Sequence, residues 1–138
     1  MFRNLPPITK NLLLINIICF LADMVFSRYG VNLSHILGLH YVTASEFGFW
    51  QPITYMFMHA NFSHLFFNMF AVLMFAPAIE DRWGSRRFLI YYLVTGIGAG
   101  IIQEIVWALQ LQPVLNSVDP LMAAQLANRV VTIGASGA

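Results

Sequence analysis

Charge is what this sequence has least of: only 9% of its 138 residues are Asp, Glu, Lys or Arg. A soluble domain carries about 25%, because it must build a solvated skin, and that shortage excludes an ordinary soluble globular domain. The net charge is +1 with no basic stripe, which excludes a nucleic-acid-binding surface. A single cysteine, Cys19, lies inside an apolar run, so there is no disulfide framework and no CxxC redox or metal motif. Internal repeats and low-complexity tracts are absent too. What is abundant is apolar surface: 59% hydrophobic residues and a mean hydropathy of +0.70, the composition of a membrane protein.

Three apolar segments stand out, at about 8–27, 62–79 and 88–109. Each approaches the roughly 20 residues a helix needs to cross the hydrocarbon. Open strands would leave backbone groups unpaired in lipid, and the alternation that a closed barrel requires is missing. The apolar run after Met1 to Lys10 has no small-residue cleavage site behind it and is read as a retained span. Val130, Val131 and Ile133 open a further apolar stretch, so a fourth span is expected to start near 130 and to be only begun at Ala138. The chain is therefore expected to be a truncated product or a fragment.

Basic residues set the orientation. Arg3, Lys10, Arg82, Arg86 and Arg87 flank one side, against Arg28 and Arg129 on the other. This bias predicts a cytoplasmic N-terminus and a cytoplasmic loop at 80–87, with the loops 28–60 and 110–132 outside. Residues 29–58 are rich in aromatics and poor in charge, which predicts a segment lying in the membrane interface, where Trp and Tyr are favoured. A short helix is expected at about 121–128, after Asp119-Pro120.

On this topology a few polar residues converge. His64 and Asn68 sit four residues apart in the first turns of the second span, on one face and about 6 Å apart along its axis. His59 lies just before that span. Ser136, in Gly134-Ala135-Ser136-Gly137-Ala138, enters from the same side, so all should lie at similar shallow depth. Imidazoles and amides in hydrocarbon are costly unless partnered or wet, which makes them functional candidates; the plainer alternative is packing between helices. An amide hydrolase needs a nucleophile, a base and oxyanion donors. Ser136, among small neighbours at a helix start, fits the first; His64 and Asn68 fit the last.

These residues resemble a family. His59-Ala60-Asn61-Phe62-Ser63-His64-Leu65-Phe66-Phe67-Asn68 is similar to the rhomboid signature H-x-x-x-x-H-x-x-x-N. Glu80-Asp81-Arg82-Trp83-Gly84 looks like its E-x-R-x-G motif, and Gly134-Ala135-Ser136-Gly137 like its G-x-S-G. The resemblance implies an all-α polytopic membrane protein, a rhomboid-like helical bundle, here three transmembrane helices plus the start of a fourth. It implies a serine-type endopeptidase that cleaves membrane proteins within or near their transmembrane segments. Ser136 would be the nucleophile, and His64 and Asn68 would join the Ser136 amide in binding the oxyanion. His59, Gly134 and Gly137 would lie near the site, and Glu80 and Arg82 would pair near the inner surface, beside Gly84. No metal or cofactor is implied; the partners are substrate transmembrane segments and the lipid bilayer. With no organelle-type transit peptide evident in the sequence, a bacterial plasma membrane is expected.

Two departures follow. The family often has Trp-Arg in the first outer loop, whereas this chain has Trp50-Gln51, for which a local effect is expected. The family's catalytic His lies on a later helix, and none of His35, His40, His59 and His64 matches it, so this chain alone is expected to be inactive; His35 and His40 are read as interfacial or solvated. Two rival functions share the sequence: a rhomboid-like protein that binds clients without cleaving them, and a small transporter or channel subunit using the intramembrane acids Asp23 and Glu104. For these acids the simpler expectation is a neighbouring partner. Gly96 and Gly100 form a G-x-x-x-G face, expected to pack within the monomer.

Overall fold

The computed structural model describes residues 4–134. Seven α-helices follow in order: α1 (Pro7–Ser27), α2 (Leu33–Leu37), α3 (Gln51–Thr54), α4 (Phe62–Trp83), α5 (Ser85–Gln110), α6 (Gln112–Asn116) and α7 (Pro120–Arg129), with a 3-10 turn at Tyr55–Phe57. α1, α4 and α5 are each long and apolar enough to cross a membrane. They run past the apolar segments at several ends because backbone pairing continues where hydropathy stops: α4 passes through Pro77 and the charged Glu80, Asp81 and Arg82 before ending. Their outward faces carry exposed Ile18, Phe67, Phe75 and Ile102, the surface expected against lipid.

α4 and α5 are joined by one residue, Gly84, at φ +86° with its N–H bonded to the Glu80 carbonyl at 2.8 Å. A side chain there would meet nothing, so the left-handed backbone alone favours glycine. At this end Glu80, 2% exposed, ties three helices together. Its carboxylate accepts from the Ile8 and Thr9 amides at 2.8 and 2.7 Å, from the Thr9 hydroxyl at 2.7 Å and from Ser85 at 2.6 Å. α1 starts after Pro6, which has no side-chain cap; Glu80 supplies a carboxylate to those first-turn donors from another helix, where the helix dipole also favours negative charge. The expected Glu80–Arg82 pair is not formed: Arg82 is exposed, and the one salt bridge among the described residues is His35–Glu46 at 3.6 Å.

The loop between α1 and α4 sends part of its apolar side chains into the protein interior. Leu39, Tyr41, Tyr55, Met56 and Met58 are buried, and the main core cluster joins Leu39, Tyr55 and Met56 to Leu12, Ala76, Phe88 and Tyr92. Other apolar side chains of the loop, among them Tyr29, Val42, Phe49 and Trp50, are exposed. The glycines of α5 create the seat: a Cβ on Gly96 would stand 1.8 Å from the Met56 sulfur, and one on Gly100 would touch Leu39 and Tyr55 at 3.4 Å. The Tyr55 hydroxyl donates to the Gly96 carbonyl at 2.6 Å. The G-x-x-x-G face thus packs inside the monomer.

Gln51 is fully buried: its amide donates to the Glu46 and Ile36 carbonyls at 2.8 and 3.1 Å, and its oxygen accepts from the His40 N–H at 3.1 Å. Trp50 donates its indole N–H to Ile36. His40 is buried, not solvated; its ring bonds the His35 carbonyl and packs edge-on against the His35 ring. Both intramembrane acids have partners. Asp23 accepts from the Leu33 and Ser34 amides and the Ser34 hydroxyl, holding the start of α2, and Glu104 accepts from the Val42 amide at 2.9 Å.

Candidate active site

α4 begins at Asn61, whose backbone is extended and whose side-chain oxygen accepts from the His64 N–H at 2.9 Å. That cap fixes the first turn, and His64 is fixed with it. The Ala60 N–H donates to His64 Nδ1 at 3.1 Å, while Asn68 Nδ2 donates to the His64 carbonyl at 2.7 Å. A ring nitrogen that accepts cannot carry the proton, so neutral His64 holds it on Nε2, the free donor. Asn68 spends one amide hydrogen on the His64 carbonyl and keeps the other. Both side chains are half-buried, reachable yet partly shielded.

His59 packs its ring edge-on against His64, with centroids 5.0 Å apart. Five-residue spacing puts two side chains on different faces of a continuous helix, but His59 precedes α4 and the chain turns at Ala60 and Asn61 to bring the rings together. His59 is 1% exposed, and neither ring nitrogen has a hydrogen-bond partner among the described residues. Burial pushes its pKa down to about 4, and nearby His64 adds to the shift. No group of three or more His, Cys, Asp or Glu among the described residues could hold a metal ion.

The segment after α7 comes back to this place. Residues 130–134 are not helical: Val130 is extended, Thr132 forms an isolated antiparallel bridge with Leu39, and Ile133 lines the same cavity as Ala60 and Asn61. Gly134, at φ +119°, donates its N–H to the Tyr55 carbonyl at 2.8 Å. Ser136 and Gly137 lie outside the described residues, as does any helix beginning after Gly134. Glu80, Arg82 and Gly84 sit at the opposite end of α4 and belong to the framework. Sequence reasoning missed Ala60, Asn61 and Tyr55. An Asn directly before an apolar helix is a cap signal and could have revealed Asn61; nothing in the pattern marks Tyr55 as the anchor of a segment about 80 residues later.

A multi-pass helical membrane protein with a histidine and an asparagine one turn apart at a helix mouth, beside a returning segment that ends at Gly134, is the class that fold and site define. The family model described as Rhomboid domain matches residues 46–138, and the chain belongs to the rhomboid family. It is similar to Rhomboid-like protease 3 of Toxoplasma gondii, 32% identical over 99 residues that make up 67% of this chain and 38% of that one. Rhomboid-like protein 11, chloroplastic, of Arabidopsis thaliana is 29% identical over 128 residues, 92% of this chain and 36% of the relative. RHOMBOID-like protein 6, mitochondrial, of the same plant is 38% identical over 56 residues, 41% and 18% of the two chains. The aligned part is thus well under half the length of these relatives.

Proposed function

We propose that this chain carries the nucleophile and oxyanion donors of an intramembrane serine endopeptidase. One observation carries the reading: the Ala60 N–H held on His64 Nδ1 leaves Nε2–H as a fixed donor one turn from the Asn68 amide. Ser136 follows Gly134 by two residues, a reach of at most about 7 Å, and Gly134 is pinned to Tyr55, four residues before His59. In the proposed step Ser136 Oγ attacks the substrate carbonyl carbon and its proton passes to an imidazole base. The new oxyanion accepts from His64 Nε2–H, Asn68 Nδ2–H and the Ser136 N–H. Collapse breaks the C–N bond, the base returns the proton to the leaving amine, and water then hydrolyses the acyl-enzyme.

The base is a histidine on a later helix, as the family resemblance implies. His59 is unsuited: with a pKa near 4 it is too weakly basic at neutral pH. His35 and His40 are engaged with Glu46 and the first loop. The substrates are membrane-anchored proteins cut within or near their transmembrane segments, and the N-terminus faces the cytoplasm.

A serine-reactive fluorophosphonate should label the protein purified from membranes, and Ser136→Ala should abolish labelling. His64→Ala and Asn68→Ala should each lower cleavage about 10²- to 10³-fold, the usual cost of one oxyanion donor. A polypeptide of residues 1–138 alone should show no Ser136-dependent cleavage. Full cleavage by Ser136→Ala would sink the serine mechanism, whereas neither labelling nor cleavage by the unsubstituted protein would leave binding of membrane clients as the reading.

A further inference from the structure

A groove of about 610 Å³ runs along one side of the α1–α4 contact, lined by residues such as Leu13, Ile17, Phe20, Met69, Phe70 and Leu73. It lies apart from the His64/Asn68 face of α4, which bears none of its lining. On α1 it extends from Leu13 to Met24, about 16 Å at 1.5 Å per residue. One leaflet of a bilayer core is about 15 Å deep, half of roughly 30 Å. The groove is as deep as one acyl chain is long.

Its upper end opens into a second cavity of about 420 Å³ that shares Phe20 and Met24 with it. There the lining turns polar: Asp23, Ser27, Asn32, Ser34 and Asn61. Asp23 is the one charged side chain in that lining, and all three groups that donate to it are neutral: the Leu33 and Ser34 amides and the Ser34 hydroxyl. No cation pairs with it among the described residues. A carboxylate has about four acceptor positions, so one remains open. The Asn32 and Asn61 oxygens are spent on the His35 and His64 amides, which leaves the side-chain N–H groups of both asparagines to offer. The mouth therefore presents one anionic acceptor and two neutral amide donors above an apolar slot.

We propose that this groove holds one acyl chain of a phospholipid whose primary-ammonium headgroup meets Asp23 and whose phosphate or ester oxygens accept from Asn32 and Asn61. A phosphatidylethanolamine has that chemistry. A phosphatidylcholine fills the same slot but has no N–H to donate to the carboxylate.

The test is native mass spectrometry of the protein purified from membranes and mixed with equal amounts of phosphatidylethanolamine and phosphatidylcholine of identical acyl chains. The amine lipid should be retained roughly three- to fivefold over choline, the size an interfacial ion pair supports. Asp23→Asn keeps an acceptor for the Leu33 and Ser34 amides and should bring the ratio to about one. Ile17→Trp, which fills the slot, should lower retention of both lipids. Equal retention by the unsubstituted protein, an unchanged ratio in Asp23→Asn, or full retention in Ile17→Trp would each overturn the assignment. The last result would mean that a later segment of the protein or a partner helix occupies the groove. Should Asp23→Asn fail to fold, the headgroup comparison and Ile17→Trp still decide.

Discussion

His59 shows how one buried polar side chain makes a site sensitive to pH. Its pKa falls from 6.5 to about 4 on folding, so between those values the unfolded chain binds more protons than the folded one. Stability from this residue is therefore complete above about pH 6.5 and lost as pH falls toward 4, by at most roughly 3–4 kcal/mol at about 1.4 kcal/mol per pH unit. Thermal unfolding in detergent at pH 7 and pH 5 should show a drop that His59→Gln reduces; an equal drop in both proteins would remove His59 as its source. Glu80 is the opposite case, a buried side chain with every contact answered. Glu80→Ala would strand the Ile8 and Thr9 amides at the start of α1 and should cost about 2–4 kcal/mol. Glu80→Gln keeps an acceptor and should cost less, as a guanidinium- or heat-unfolding series would show.

At the scale of elements, the first loop seated on α5 gives a sharp contrast between neighbouring glycines. Gly96→Ala drives a methyl into Met56, whereas a Cβ on Gly98 meets nothing within 4 Å. The first should destabilise by about 1–3 kcal/mol through overpacking, and the second should be neutral or slightly stabilising. Equal melting temperatures for the two would mean that the loop does not depend on this seat. The long helices were legible because hydrophobic length is nearly all that lipid demands of a span. Which loop residues turn inward was not, because a Leu or Tyr that packs inside and one that stays outside look the same in sequence; the smooth face of Gly96 and Gly100 seats Leu39, Tyr55 and Met56. In the site, the four-residue spacing of His64 and Asn68 could be read directly. The His59–His64 contact could not, since it arises from the turn at Ala60 and Asn61, and the Glu80 partnership with Ile8 and Thr9 spans about 70 residues.

Over the whole molecule, the framework and the candidate site occupy opposite ends of α4. Glu80, Ser85 and the start of α1 close one end; His59, His64, Asn68 and the returning residues 130–134 gather at the other. The rigid end also holds Arg82, Arg86 and Arg87 with Lys10, and the site end has Arg28 and Arg129. The proposed orientation, argued from the positive-inside rule, puts the closed end at the cytoplasm and opens the candidate site toward the far side of the membrane. Cys19, the only cysteine, lies within α1, so Cys19→Ser gives a background for single reporters. In intact cells a membrane-impermeant maleimide should label Ser117→Cys and spare Arg86→Cys until the membrane is broken. The reverse pattern would turn the protein over and put the site on the cytoplasmic side, so that substrates would have to present their cleavable segment to the inner leaflet.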